Sequence, residues 1–104
     1  MKQILIDKFT IPQNAVEEFT ERMNYNRGFI KNIQGFIKDS VYQRKVENGN
    51  SVIVTVAEWE NESFLAQAKE AVLDEYKRIG FNPQEMYSRL NITIERGIYS
   101  EVID

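Results

Sequence analysis

The chain has no histidine and no cysteine. Without imidazole it has no residue that ordinarily changes charge near neutral pH, and no histidine ligand for haem or a transition metal. Without thiols it can form no disulfide, no zinc–thiolate site and no thiol nucleophile. Long apolar runs are also missing, so nothing approaches the roughly 20 residues that a membrane-spanning helix needs. Basic clusters are absent too, and the formal charge is −3 with a pI near 5.1. Nucleic-acid partners are therefore disfavoured, because phosphate contacts need concentrated lysine and arginine. No glycine-rich phosphate loop appears, and no carboxylate spacing suggests a hard-metal loop. Pairs such as Glu17–Glu18, or Glu101 with Asp104, fall on a helix surface or in the tail. The opening MKQILIDKF alternates polar and apolar residues too early for a signal peptide, so the cytoplasm is the expected compartment.

What is present suits one folded domain over residues 1–104, with 42% hydrophobic and 28% charged residues. Its centre is Gly35 to Phe64, which reads as strand, tight turn, strand and helix entry. Asn48-Gly49 is a strong hairpin signal, and as a two-residue type I′ turn it sets a register. Val46 then opposes Ser51, Gln43 opposes Val54, Val41 opposes Val56, and Lys38 opposes Trp59. One hairpin face carries Ile37, Val41, Val52, Val54 and Val56, and is expected to lie under helices. The other carries Lys38, Ser40, Tyr42, Arg44, Ile53, Thr55, Ala57 and Trp59. That second face is too apolar for open water and too polar for a plain core, and it reads as the lining of a pocket or an interface.

Before the hairpin, Gln3 to Ile11 alternates as a strand that Pro12 stops. Asn14-Ala-Val-Glu17 has the form of a capping box. Val16, Phe19, Met23, Ile30 and Ile33 then recur at helical spacing, with Asn26 and Arg27 in the missing step of the stripe. After the hairpin, Asn61 is the expected N-cap of a helix carrying Phe64, Ala68, Val72, Tyr76 and Ile79, ended by Gly80. Asn82-Pro83-Gln84-Glu85 starts a short helix to about Leu90. Asn91 to Tyr99 closes the chain as a strand, and the tail keeps the apolar Val102 and Ile103, as docking tails do. The order β-α-β-β-α-(α)-β predicts an α+β, ferredoxin-like fold with an antiparallel sheet and both main helices on one face. The uncovered face, expected to hold Leu5, Phe9, Tyr42, Ile53, Trp59 and Tyr99, would be a large apolar patch that a homodimer buries.

Three phrases carry a family resemblance: FTIPQNAVEEF, NIQGFIKDSV and VIVTVAEWENESFLAQ. On these phrases the chain resembles, over almost its full length, the antibiotic biosynthesis monooxygenase superfamily, the dimeric α+β-barrel proteins. The resemblance implies a homodimer whose two sheets form one barrel, with a pocket in each subunit between barrel and helices. It also implies oxidation of quinols or polyketides without metal or flavin, the deprotonated substrate itself supplying electrons to dioxygen. Other members degrade haem with a pocket Asn, Trp and His. This chain has no histidine, and Asp7 falls where their first-strand Asn would lie, so haem degradation is excluded.

The expected function is thus a cofactor-independent monooxygenase acting on a hydroxylated aromatic, quinol or polyketide-like molecule. The alternative is a non-catalytic dimeric small-molecule-binding or stress-associated protein of the same fold. Asp7 is the candidate base, since burial would raise its pKa and let it take a substrate proton. Its plainer reading is a rim carboxylate paired with Lys8 or Arg96. Trp59 could stack on a planar ligand and offer its indole N–H, or fill the barrel end as an interface aromatic. Lys38 is a possible cation–π partner above it. Tyr42, with Thr55 across the ladder, could orient a phenol, or Tyr42 could simply favour the sheet. Phe9 is a candidate wall, and Asn26 with Arg27 could close the pocket or be solvated surface. No cofactor and no metal are expected; the expected partners are a second copy and a small aromatic ligand.

Overall fold

In a computed structural model of the protein, residues 1–103 are described. Asp104, the expected tail carboxylate, lies outside them. Strands β1 (Gln3–Ile11), β2 (Phe36–Lys45), β3 (Ser51–Trp59) and β4 (Thr93–Tyr99) form one sheet in the order β2-β3-β1-β4, antiparallel throughout. Helices α1 (Val16–Ile30), α2 (Glu62–Ile79) and α3 (Pro83–Leu90) join them. This is the expected ferredoxin-like order.

The helix ends show local chemistry at work. Asn61 and Asn82 cap α2 and α3, their side-chain oxygens accepting from the Phe64 and Glu85 amides at 2.9 and 3.1 Å. Gly80 ends α2 in the left-handed conformation at φ 70°. The capping box expected at Asn14 does not form. Pro12 instead starts a 3-10 turn over Gln13–Ala15, with the Ala15 amide donating to the Pro12 carbonyl. Asn14 sits inside that turn, and α1 begins after it with no side-chain cap.

The hairpin register also differs from the expected one, by one residue. Lys45 faces Ser51, Val41 faces Thr55, and Lys38 faces Glu58. The loop has three residues, Glu47 to Gly49, because only Gly49 takes a positive φ, at 84°. The Gly49 amide donates to the Val46 carbonyl and the Val46 amide to the Asn50 carbonyl. That is a type I turn followed by a left-handed glycine, the usual three-residue hairpin. The Asn48 side chain accepts from the Asn50 amide and favours this turn over the type I′ form. Gly49→Val is expected to cost about 1–3 kcal/mol in urea unfolding, since a β-branched residue resists this φ, and its Cβ would meet the Gln13 Oε1 at 2.9 Å.

A one-residue slip exchanges the faces of one strand relative to its neighbour. Tyr42 therefore parts from Thr55 and Trp59, and Val41 joins them. The two faces of the sheet are also exchanged relative to the expectation. Phe9, Ile53 and Trp59 are buried and pack into the core with Leu5, while Val54 and Val56 turn to the open face with Ile4 and Ile6. Of the residues expected on the open face, Tyr42 and Tyr99 remain there. Ile37 falls at a bulge between Phe36 and Lys38 and is exposed. Val102 and Ile103 are exposed in the tail.

The core consists of two clusters. Phe9, Phe19, Ile53 and Met86 centre the first, under α3 and the start of α1. Trp59, Ile30, Leu65 and Ala68 centre the second, under the end of α1 and the start of α2.

Candidate functional site

A polar row crosses the helix side of the sheet between the two clusters. Asp7 on β1 has Thr55 of β3 on one side and Arg96 of β4 on the other. Asp7 is only 6% exposed. Its Oδ1 and Oδ2 accept from Arg96 Nε and Nη2 at 2.7 and 2.8 Å. Bidentate geometry makes this a strong, directional pair. The Arg96 side chain is 53% exposed, so the pair runs from interior to surface. The plainer reading of Asp7 thus has its partner in Arg96, yet the carboxylate itself is buried.

Above this row a cavity of about 500 Å³ separates the sheet from α1, α2 and α3. Asp7, Phe9, Thr55, Trp59, Asn26 and Arg27 all line it. Tyr42 does not. The register places it on the opposite face of the sheet, 62% exposed. Lys38 likewise sits on that face, paired with Glu58 at 3.5 Å rather than stacked on Trp59. Trp59 is 2% exposed and packs edge-on against Phe36 at 5.6 Å, so it belongs to the core beneath the helices and not to the open face.

Asn26 and Arg27 reach the cavity from the last turns of α1. Arg27 Nε donates to Asp39 Oδ2 at 2.5 Å, which ties α1 to β2 and explains the polar step in the α1 stripe. Two buried polar atoms have no partner among the described residues: Asn26 Oδ1 and the indole Nε1 of Trp59. Both residues line the cavity. An unpaired buried polar group costs roughly 1–3 kcal/mol, a cost that a ligand's polar atoms would remove.

Sequence reasoning missed the far wall. Tyr76 of α2 and Tyr87 of α3 line the cavity as half-buried residues, with Arg22 of α1 beside them. Burial pushes the Tyr87 hydroxyl up to about 12 and raises that of Tyr76, so both stay protonated donors at neutral pH. The available signal was slight: a tyrosine, with its hydroxyl, at an apolar stripe position. For a metal the cavity offers, among the described residues, only Asp7 and Asp39, and each is already engaged by an arginine.

No protein-family model matches the sequence, and no curated protein matches it. Solved structures do match over nearly the full length. SnoaB, a cofactor-independent oxygenase from Streptomyces nogalater, superposes with a TM-score of 0.65 at 17% identity, covering 99% of this chain and 95% of that one. A candidate antibiotic biosynthesis monooxygenase from Nitrosomonas europaea gives 0.71 at 13% identity, covering 97% and 90%. A dimeric ferredoxin-like protein from an uncultured marine organism gives 0.68 at 14% identity, covering 98% of both chains. The chain has the ferredoxin-like fold of these proteins. At these identities the likeness is one of fold. On that shared fold the present chain builds its own cavity: a carboxylate held by arginine, a tryptophan with a free N–H, and two neutral tyrosines.

Proposed function

We propose that the cavity binds a hydroxylated aromatic, quinol or polyketide-like small molecule and that the protein oxidises it with dioxygen, without a cofactor. The observation that carries this reading is the convergence of a buried carboxylate, Asp7, and an unpartnered indole N–H, Trp59, on one largely apolar cavity. In this scheme Asp7 is the base, Thr55 sits beside it, and Phe9 and Trp59 hold the ring system, with Asn26 and Arg27 along the helix wall. The name of SnoaB, a cofactor-independent oxygenase, points the same way.

The chemistry balances for a phenol with a free para C–H bond. Phenol and dioxygen give quinone and water; one oxygen atom enters the ring carbon, the other leaves as water, and the substrate provides all four electrons. Asp7 accepts the hydroxyl proton, which makes the electron-rich anion that reacts with dioxygen. The test is oxygen uptake by metal-free, flavin-free protein over a panel of phenols and quinols, with quinone formation followed in parallel. Uptake above the buffer rate supports the reading; none across the panel removes it. One observation favours the non-catalytic alternative, namely that both Asp7 oxygens already accept from Arg96. A protein that binds such phenols without consuming oxygen fits that alternative.

The same proposal includes a homodimer. It is supported by the open sheet face, where Ile6 and Val56 are direct cross-strand partners, flanked by Ile4 and Val54 and bordered by Tyr42 and Tyr99. Apolar faces of this kind normally mark an interface. Val54→Glu, which sets a charge in the middle of that face, is expected to shift the protein towards monomer in sedimentation velocity at micromolar concentration. A wild-type monomer under the same conditions removes the dimer.

A further inference from the structure

The cavity lining carries more positive charge than the molecule as a whole. Arg22, Arg27, Lys69 and Arg96 face only two carboxylates, Asp7 and Asp39, in a chain of formal charge −3. Those carboxylates are consumed: Arg96 holds Asp7 and Arg27 holds Asp39. Among the described residues, Arg22 makes no ion pair. Its guanidinium instead lies 4.3 Å from the Phe81 ring centroid. Phe81 in turn meets Tyr76 edge-on at 5.1 Å. A cation–π contact of this kind holds the guanidinium over the ring and leaves its N–H groups free to donate.

The neighbouring hydroxyls are also uncommitted. Neither Tyr76 nor Tyr87 makes a side-chain hydrogen bond among the described residues, whereas the exposed Tyr25 donates to Glu75. Phe81 touches both Arg22 and Tyr76, and Tyr87, whose ring lies 6.0 Å from that of Phe9, lines the same cavity beside them. Three donors from three helices thus converge where the Asp7 charge is already balanced by Arg96.

We propose that this end of the cavity is a carboxylate seat, in which Arg22 and the Tyr76 and Tyr87 hydroxyls receive the carboxylate of an aromatic acid whose rings extend towards Trp59. The inference rests on the reading of the cavity as a small-molecule site and narrows its ligand from hydroxylated aromatics at large to those carrying a fixed negative charge. A planar guanidinium beside two neutral donors matches a carboxylate, whereas a neutral ester offers weaker acceptors and no charge.

The probes are 3-hydroxy-2-naphthoate and its methyl ester, titrated calorimetrically into the full chain at neutral pH without oxygen. The acid is expected to bind about tenfold or more tightly than the ester. Arg22→Gln and Tyr76→Phe, confirmed as folded by circular dichroism, should each remove most of that preference, weakening the acid far more than the ester. Equal or tighter binding of the ester, no binding of the acid, or equal loss for both ligands in Arg22→Gln overturns the seat. Binding without oxygen is independent of turnover. Selective binding with no turnover keeps the seat and ends the oxygenase reading; oxidation of neutral phenols with no preference for the acid does the reverse.

Discussion

Gly35→Ala is expected to cost the fold about 3–5 kcal/mol and lower its melting temperature by more than about 10 °C. Gly35 joins α1 to β2 at φ 91°, outside the range that L residues adopt comfortably. A Cβ placed there would sit 2.4 Å from both Cβ and Cγ of Phe64. Neither neighbour can step aside cheaply. Phe64 lies in the first turn of α2, where its amide is fixed by the Asn61 cap. Gly35 is itself tied to the chain before α2, because the Glu60 amide donates to its carbonyl at 2.9 Å. The strain of the backbone and the clash with the ring therefore add. Thermal unfolding followed by circular dichroism measures the effect, and a loss under about 1 kcal/mol would mean that this junction is looser than the packing implies.

The second large effect concerns chemistry. If the protein turns over a phenol, Asp7→Asn is expected to reduce the rate by about 100-fold or more, the scale of a lost general base. The amide nearly keeps the carboxylate's shape and one acceptor for Arg96, so the fold should survive. Arg96 is half-exposed, and water screens much of what the lost charge contributed to stability. Oxygen uptake and the melting curve should be read together. A rate that falls while the melting temperature moves by only a few degrees assigns the base; an unchanged rate rejects Asp7 in that role and leaves the oxygenase reading standing.

Much of the fold was legible because its signals are local. Asn61, Gly80 and Asn82-Pro83 mark helix ends through chemistry confined to one turn, and the structure places helix boundaries there. The element order sufficed for the sheet topology. One part that was not legible follows from a single turn. Asn48-Gly49 supports two hairpin loops that differ in whether Asn48 takes a positive φ, and the choice shifts the pairing by one. That shift moved Tyr42 out of the expected site.

The sheet faces were the harder problem. Val52, Val54 and Val56 look as fit for a core as Ile53, Thr55 and Ala57. The difference lies in the other strands: β1 brings Phe9 beside Ile53 and β4 brings Ile94 beside Phe9, a row that only the assembled sheet brings together. Arg96 stood in view from the start, but its pairing with Asp7 spans 89 positions and depends on that same register. Tyr76 and Tyr87 read as apolar stripe residues. Their hydroxyls matter only because α2 and α3 end over the same opening.

The polar row across the sheet also separates the core in a second sense. Substitutions couple when side chains touch or share partners, and add when they do not. Trp59, Leu65 and Ala68 lie on one side of the Asp7 row and Phe9, Phe19 and Met86 on the other. Volume changes around Trp59 can reshape one wall of the cavity without repacking the Met86 side. The shape of the tryptophan wall can thus vary while the other half keeps its stability, so that the two traits drift as nearly independent quantities.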